Sequence, residues 1–363
     1  MYRSPARTTR LLALAAAAPL ALGLAACGDN AAADSDSDSS GSGTADELRL
    51  GYFANVTHAA ALIGVEEGLF DKELGSTKLS TQVFNAGPDV VEAVFAGALD
   101  AAYIGPSPAI NAYGQSDGEA IRIVAGAASG GAQLVVRDGI ESPEDLKGTT
   151  LASPQLGNTQ DVALRTWLTE EGLENSIEGG GDVTIAPTAN ADTLTLFQDG
   201  ELDGAWLPEP WSSRLVLEAG AHVLVDEADL WDGGQFVTTT LIVRTEFLEQ
   251  YPETVDALLK AHVAAVQEAT DDPDAAKKAV NEGLKAAGGS ELSAEVIDRA
   301  WENLEVTYDP IASTLKESAQ HSVDAGTSDE LVDLAGIYDL RPLNAILSGL
   351  DLDPVSAAGL GEE

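Results

Sequence analysis

Four short segments of this chain gather hydroxyls, amides and glycine just ahead of helix-forming stretches. They are Asn55-Val56-Thr57-His58, Asn85-Ala86-Gly87-Pro88, Gly105-Pro106-Ser107-Pro108 and Gln155-Leu156-Gly157-Asn158-Thr159-Gln160. Such residues leave backbone and side-chain donors free at helix starts, where partial positive charge also collects, so together they suit a small anion. Taken singly, Asn, Ser or Thr before a helix also reads as an ordinary N-cap. His58 reads either as a ligand contact or as a cap or packed ring. A fifth segment, Trp206-Leu207-Pro208-Glu209-Pro210-Trp211, offers two indoles able to wall a pocket. Glu209 would repel an anion unless it meets an ammonium group on the ligand, and otherwise it orients neighbouring donors.

Covalent catalysis finds no machinery. The lone cysteine is Cys27, the four histidines (His58, His222, His262 and His321) form no metal-spaced pair, and no Gly-x-Ser-x-Gly or P-loop pattern occurs. No enzyme activity, cofactor or metal is expected. The chain of 363 residues has 60 acidic against 19 basic side chains and a formal charge of −41, which disfavours nucleic acid as a partner. With 44% hydrophobic residues it can still bury a substantial core.

Arg3, Arg7 and Arg10, the apolar run Leu11–Leu24 and then Leu24-Ala25-Ala26-Cys27 read as a signal peptide over 1–26. The Ala-, Ser-, Gly- and Asp-rich stretch that follows, to residue 46, reads as a flexible acidic tether.

From Leu48 the pattern is βα units around a largely parallel sheet. Strands are expected at 48–53, 79–84, 101–104, 121–127 and 133–136, then at 150–152, 183–186 and 204–207. Helices are expected at 59–68, 88–96, 159–171 and 191–197. Beyond Pro252 the chain reads as almost wholly helical, over 253–269, 274–287, 294–304 and 311–323. Gly97-Ala-Leu99-Asp100-Ala-Ala102-Tyr103 is echoed by Gly200-Glu-Leu202-Asp203-Gly-Ala205-Trp206, and Asn190 stands ahead of the second copy much as Asn85 stands ahead of the first. Two lobes on one plan follow. Leu134-Val-Val136-Arg137 and Leu241-Ile-Val243-Arg244 bracket the second series as the two crossings of a hinge would. That organisation gives lobe 1 as 47–137 plus 240–352, lobe 2 as 138–239, and a tail at 353–363.

Along nearly its whole length after the signal segment, the chain resembles the solute-binding proteins of bacterial ABC transporters for aliphatic sulfonates, taurine and nitrate, a group similar also to thiamine-pyrimidine binding proteins. The resemblance rests on Gly68-Leu69-Phe70, Glu92 through Asp100, Ile104-Gly105-Pro106-Ser107-Pro108, Ser142 through Gly148, Gly157-Asn158-Thr159 and Asp203 through Pro210, in that order. Leu24-Ala25-Ala26-Cys27 resembles a bacterial lipobox, which implies lipidation of Cys27. Also implied is an α/β fold of the periplasmic-binding-protein type II class, with two lobes, a hinge of two strands and a helical C-terminal region. A small organic anion, such as an aliphatic sulfonate or taurine, would lie in the cleft; nitrate and a thiamine-pyrimidine precursor stay open. The partners would be an ABC permease and its ATPase, with the protein a monomer on the extracytoplasmic face of the cell membrane. The residues placed at the ligand are Asn55, Thr57, His58, Asn85, Gly105, Ser107, Gln155, Gly157, Asn158, Thr159, Asn190, Trp206, Glu209 and Trp211.

Overall fold

A computed structural model describes residues 43–363. The expected signal segment, Cys27 and the expected tether as far as residue 42 lie outside the described residues. The last tether positions are part of the folded body: Gly43 accepts from the Glu253 backbone nitrogen at 2.8 Å, and the Ala45 nitrogen donates to Thr254 Oγ1 at 2.8 Å.

Thirteen strands among the described residues make two sheets. In chain order they are β1 (Glu47–Phe53), β2 (Lys78–Phe84), β3 (Ala101–Ile104), β4 (Ile121–Gly130), β5 (Ala132–Val136), β6 (Thr150–Ser153), β7 (Thr184–Pro187), β8 (Gly204–Pro208), β9 (His222–Asp226), β10 (Val237–Arg244), β11 (Leu304–Val306), β12 (Tyr338–Asp339) and β13 (Gly361–Glu362). The first sheet runs β13-β12-β4-β10-β3-β1-β2, with β11 also on β4, and the second runs β7-β6-β8-β5-β9. In each, parallel strands meet one antiparallel strand that carries the chain over from the other lobe: β10 beside β3, and β5 beside β8.

The repeated Gly-x-Leu-Asp segment does the same work in both lobes. Gly97 (φ 66°) and Gly200 (φ 79°) end their helices in the left-handed region that glycine alone enters without strain. The carboxylates of Asp100 and Asp203 then accept from the Arg49 nitrogen at 2.9 Å and the Thr150 nitrogen at 2.8 Å, while their own nitrogens donate back to the carbonyls of those residues. Arg244 and Arg137 close the match by donating their backbone nitrogens to the carbonyls of Asp100 and Asp203, at 2.9 and 3.0 Å.

This correspondence revises the lobe boundaries. Ala132–Val136, expected in lobe 1, is a strand of the second sheet, because the chain crosses at Gly130-Gly131, both with positive φ, before the apolar run begins. The return crossing precedes Val237, where β10 starts, rather than residue 240. The two crossings touch, with the Gly130 nitrogen donating to the Phe236 carbonyl at 3.3 Å. The segment 353–363 is not a free tail, since β13 pairs with β12. Near the C-terminal end the helix Ala294–Glu302 gives way to β11, and Ala312–Thr314 is a 3-10 turn leading into the helix Leu315–Asp324.

Each lobe has its own core. Lobe 1 packs β1, β3, β4 and β10 under the C-terminal helices in one continuous cluster, whereas lobe 2 has a cluster on each face of its sheet. Trp206 belongs to the lobe 2 cluster that also holds Trp167 and Phe236.

Candidate functional site

Strand-to-helix turns of both lobes converge on one small cavity of about 20 Å³. Eight of the residues expected at a ligand line it: Asn55, Thr57, His58, Asn85 and Gly105 from lobe 1, and Asn158, Thr159 and Asn190 from lobe 2. The helices that start at this cavity are Ala59–Glu66, Gly87–Phe95, Pro106–Gln115, Thr159–Glu170 and Asn190–Gln198. Their N-terminal ends favour negative charge. No lysine, arginine or carboxylate lines it among the described residues; His58 is the one ionisable lining group.

The capping reading fails at these turns. Asn55 and Asn158 occupy N-cap positions, yet neither makes a side-chain capping bond. Asn158 Oδ1 instead accepts from the Gly87 nitrogen in the opposite lobe at 3.1 Å, and its Nδ2 donates to Gln160 Oε1 at 3.2 Å. Asn55 Oδ1 accepts from the Trp211 indole nitrogen, also across the lobes, at 2.8 Å. Its amide nitrogen stays free to donate. Two polar atoms buried in the cavity wall have no partner: Thr159 Oγ1 and Asn190 Oδ1. A Cβ on Gly105 would overlap the Thr159 hydroxyl, so glycine is what lets the two loops meet.

His58 is buried, and burial holds its imidazole far below the usual range, at about 3. Its Nδ1 accepts from the Phe53 nitrogen at 3.3 Å, which puts the proton of the neutral ring on Nε2 as a donor.

The lobe 2 loop is shaped from beneath by a buried pair. Asp161 accepts from Ser153 Oγ at 2.6 Å and the Gly157 nitrogen at 2.9 Å, and meets Arg165 Nε at 3.0 Å. Neither side chain of the pair is more than 1% exposed.

Six expected residues stand elsewhere. Ser107 and Gly157 line a neighbouring small cavity of about 20 Å³. Gln155 lies outside both, its amide 3.4 Å from Asp89 across the lobes. Trp211 touches the site through Asn55 alone, with its ring on Arg214. Trp206 is no pocket wall: it is fully buried under lobe 2, donating to Glu227 at 2.7 Å and packed on Trp167. Successive β8 side chains enter opposite faces of the sheet, both of them buried, so Trp206 joins one core cluster while Ala205 and Leu207 join the other.

Glu209 is wholly buried and already satisfied. Its carboxylate accepts from the Ser213 nitrogen at 3.1 Å, Arg299 at 3.2 Å and Asn303 at 2.6 Å. Its carbonyl accepts from the nitrogens of Val56 (3.1 Å) and Thr57 (3.5 Å), so it positions the Asn55–His58 turn. Arg299 also reaches Ser213 Oγ at 2.7 Å and Gln133 at 2.8 Å. Sequence reasoning missed the lining residues Phe53, Thr238 and Thr239, while Gln160 and Pro208 fall in segments it singled out without placing them at the ligand. The run Thr238-Thr239-Thr240, three hydroxyls in an otherwise apolar strand, was the available signal for two of them.

Comparison with known proteins places the chain among solute-binding proteins by sequence and fold. The taurine-binding periplasmic protein of Escherichia coli (strain K12) is 28% identical over 218 residues, 59% of this chain; the match covers 64% of that relative, under two thirds of its length. A putative aliphatic sulfonates-binding protein of Bacillus subtilis (strain 168) is 26% identical over 305 residues, 81% of this chain and 86% of the relative. Among solved structures, the alkanesulfonate-binding protein from Xanthomonas axonopodis pv. citri, bound to MOPS, superposes with a TM-score of 0.66 at 19% identity, covering 80% of this chain and 96% of that one. At such identity the likeness speaks for the fold, that of the periplasmic solute-binding proteins. The model of the NMT1-like family matches residues 42–282, and the chain belongs to that family.

Proposed function

We propose that this protein is the extracytoplasmic binding component of an ABC importer, which captures a small organic anion, an aliphatic sulfonate or taurine, between its lobes and hands it unchanged to a membrane permease driven by an ATPase. The observation that carries the reading is the orphaned hydroxyl Thr159 Oγ1, a donor buried in a cavity whose lining holds no charged side chain. A buried hydroxyl or amide without a partner costs roughly 1–3 kcal/mol, and a ligand that pairs with it recovers that cost. A hydroxyl, the amide nitrogen of Asn55 and the Nε2 proton of His58 are donors suited to sulfonate oxygens.

Closure follows from the same contacts. A ligand touching Asn55 and His58 on one side and Thr159 on the other binds the closed arrangement better than the open one, and only that difference shifts the equilibrium. The Gly130-Gly131 and Gln235-Phe236 crossings serve as the hinge in this reading, with the lipid on Cys27 holding the monomeric protein at the membrane surface. A thermal-shift panel of taurine, alkanesulfonates, nitrate and hydroxymethylpyrimidine tests the ligand class. A ligand at about a hundred times its Kd raises stability by about 2.7 kcal/mol. A response to the pyrimidine with none to any sulfonate overturns the proposal.

A further inference from the structure

Away from the cleft cavity, lobe 1 reaches lobe 2 a second time. The segment 309–336 is pinned to β4 at both ends: the Gly126 nitrogen donates to the Tyr308 carbonyl at 2.9 Å and the Ile123 nitrogen to the Ile337 carbonyl at 2.8 Å. Between these pins Ile311 has φ 46° and ψ 49°, a left-handed conformation that is costly for a β-branched residue and persists only where its surroundings hold it. Its nitrogen donates to Asp309 Oδ1 at 2.8 Å and its carbonyl accepts from the Thr314 nitrogen at 2.9 Å, which aims the chain into the helix Leu315–Asp324. Leu315 and Ala319 seat that helix in the lobe 1 core. His321, on the same helix, meets lobe 2. Its carbonyl accepts from Thr166 Oγ1 at 3.1 Å, and its ring lies 5.4 Å from the indole of Trp231, which is stacked in turn on Phe236 of the lobe 2 core.

We infer that this segment is a strap by which lobe 1 grips the helix Thr159–Glu170, and that Thr166 and His321 are positioning residues that set ligand affinity from outside the cavity. This inference rests on the reading above, in which a ligand draws the two lobes together. The gripped helix begins at Thr159, in the cavity wall, so whatever holds its middle also holds its first turn in place. Thr166 and His321 line a separate seam of about 50 Å³ with Trp167 and Trp231, and neither lines the cleft cavity. The two helices belong to different lobes, so rotation about the Gly130-Gly131 and Gln235-Phe236 crossings separates them. Contacts made only when the lobes are together favour the closed state, and so raise affinity, without touching the ligand. Opening leaves no acceptor stranded, because the His321 carbonyl keeps its helical bond from the Ala325 nitrogen at 2.8 Å when the Thr166 hydroxyl withdraws.

The test is calorimetric titration with taurine and with methanesulfonate, together with dissociation rates and the melting temperature of the ligand-free protein. All are measured at one pH, because Glu170, Glu227 and Glu317 share the seam with His321. Thr166→Val and His321→Ala should each weaken binding about fivefold, and together at least about tenfold, with the loss carried by faster dissociation. Thr166→Ser, which keeps the hydroxyl, should bind like the parent protein. The ligand-free melting temperature should stay within about 1 °C of the parent in every variant, since the open form makes neither contact. Unchanged affinity in the combined variant, or a ligand-free melting temperature that falls with it, overturns this inference and leaves the proposed function standing. Failure of the parent protein to bind taurine or any alkanesulfonate overturns the proposed function, and this inference with it.

Discussion

Asn158 Oδ1 accepts from the backbone nitrogen of Gly87 at 3.1 Å, so the start of a lobe 1 helix is held by a side chain of lobe 2. The bond ties closure to the residues that would meet the ligand. Removing it with Asn158→Ala should cost about 1 kcal/mol of the closed state, a roughly fivefold loss of affinity. Titration of the variant with the best sulfonate checks this; unchanged affinity would show that the bond does not contribute to closure.

Thr159 supplies the sharper contrast. Its hydroxyl is buried without a partner, so Thr159→Val should leave the ligand-free melting temperature unchanged or slightly raised. Affinity for the ligand should drop about tenfold, since a sulfonate oxygen would then face a methyl group. A fall in ligand-free stability with affinity retained would reduce Thr159 to a packing residue.

Buried titratable groups make stability depend on pH in opposite directions. Burial pushes the Glu227 carboxyl up to about 7, although Trp206 donates to it. The folded state therefore keeps a proton that the unfolded chain releases above the ordinary carboxylate range, and this group's contribution falls as pH rises from about 4.5 to about 7. Glu227→Gln should gain on the parent protein across that window, by up to about 3 kcal/mol. His58 and His262, held by burial at about 3 and about 4, act the other way. Their contribution is complete above about 6.5 and is lost as pH falls toward those values. Urea unfolding at several pH values, with and without the Glu227 substitution, separates the two.

Arg299 and Glu209 form an ion pair between the helix Ala294–Glu302 and the end of β8. Arg299→Ala leaves a fully buried carboxylate short of its cation, which should cost about 3 kcal/mol. Arg299→Lys should recover only part of this, because a single ammonium cannot reach Glu209, Ser213 and Gln133 together. Chemical denaturation of both variants measures the difference.

Elements with strong local signals were legible in the sequence. Ala101–Ile104 and the Gly-x-Leu-Asp turns are fixed by neighbours close in the chain, and the paired roles of Asp100 and Asp203 show why the repeat was visible. The eight cavity residues were legible because each stands at a helix start, a position that residue type marks. What stayed hidden depends on direction or on distant partners. An apolar strand such as Leu134-Val-Val136 reads alike in either sheet, and only the crossing at Gly130-Gly131 assigns it. Nothing in the run Trp206 to Trp211 says which indole faces inward. The partner that occupies Glu209 lies 90 residues further along, beyond the reach of any local pattern.

The exchange of strands between the sheets also sets an order of assembly. Lobe 2 is written without interruption from β5 to β9, so all its strands are present once residue 226 has been made. Lobe 1 is not, because β10 lies between β3 and β4, and neither neighbour has its full set of backbone partners until the chain returns. As the chain emerges from its N-terminus, the half that comes second can complete its sheet first. The earlier half must wait with open strand edges, the kind of surface that invites wrong pairing.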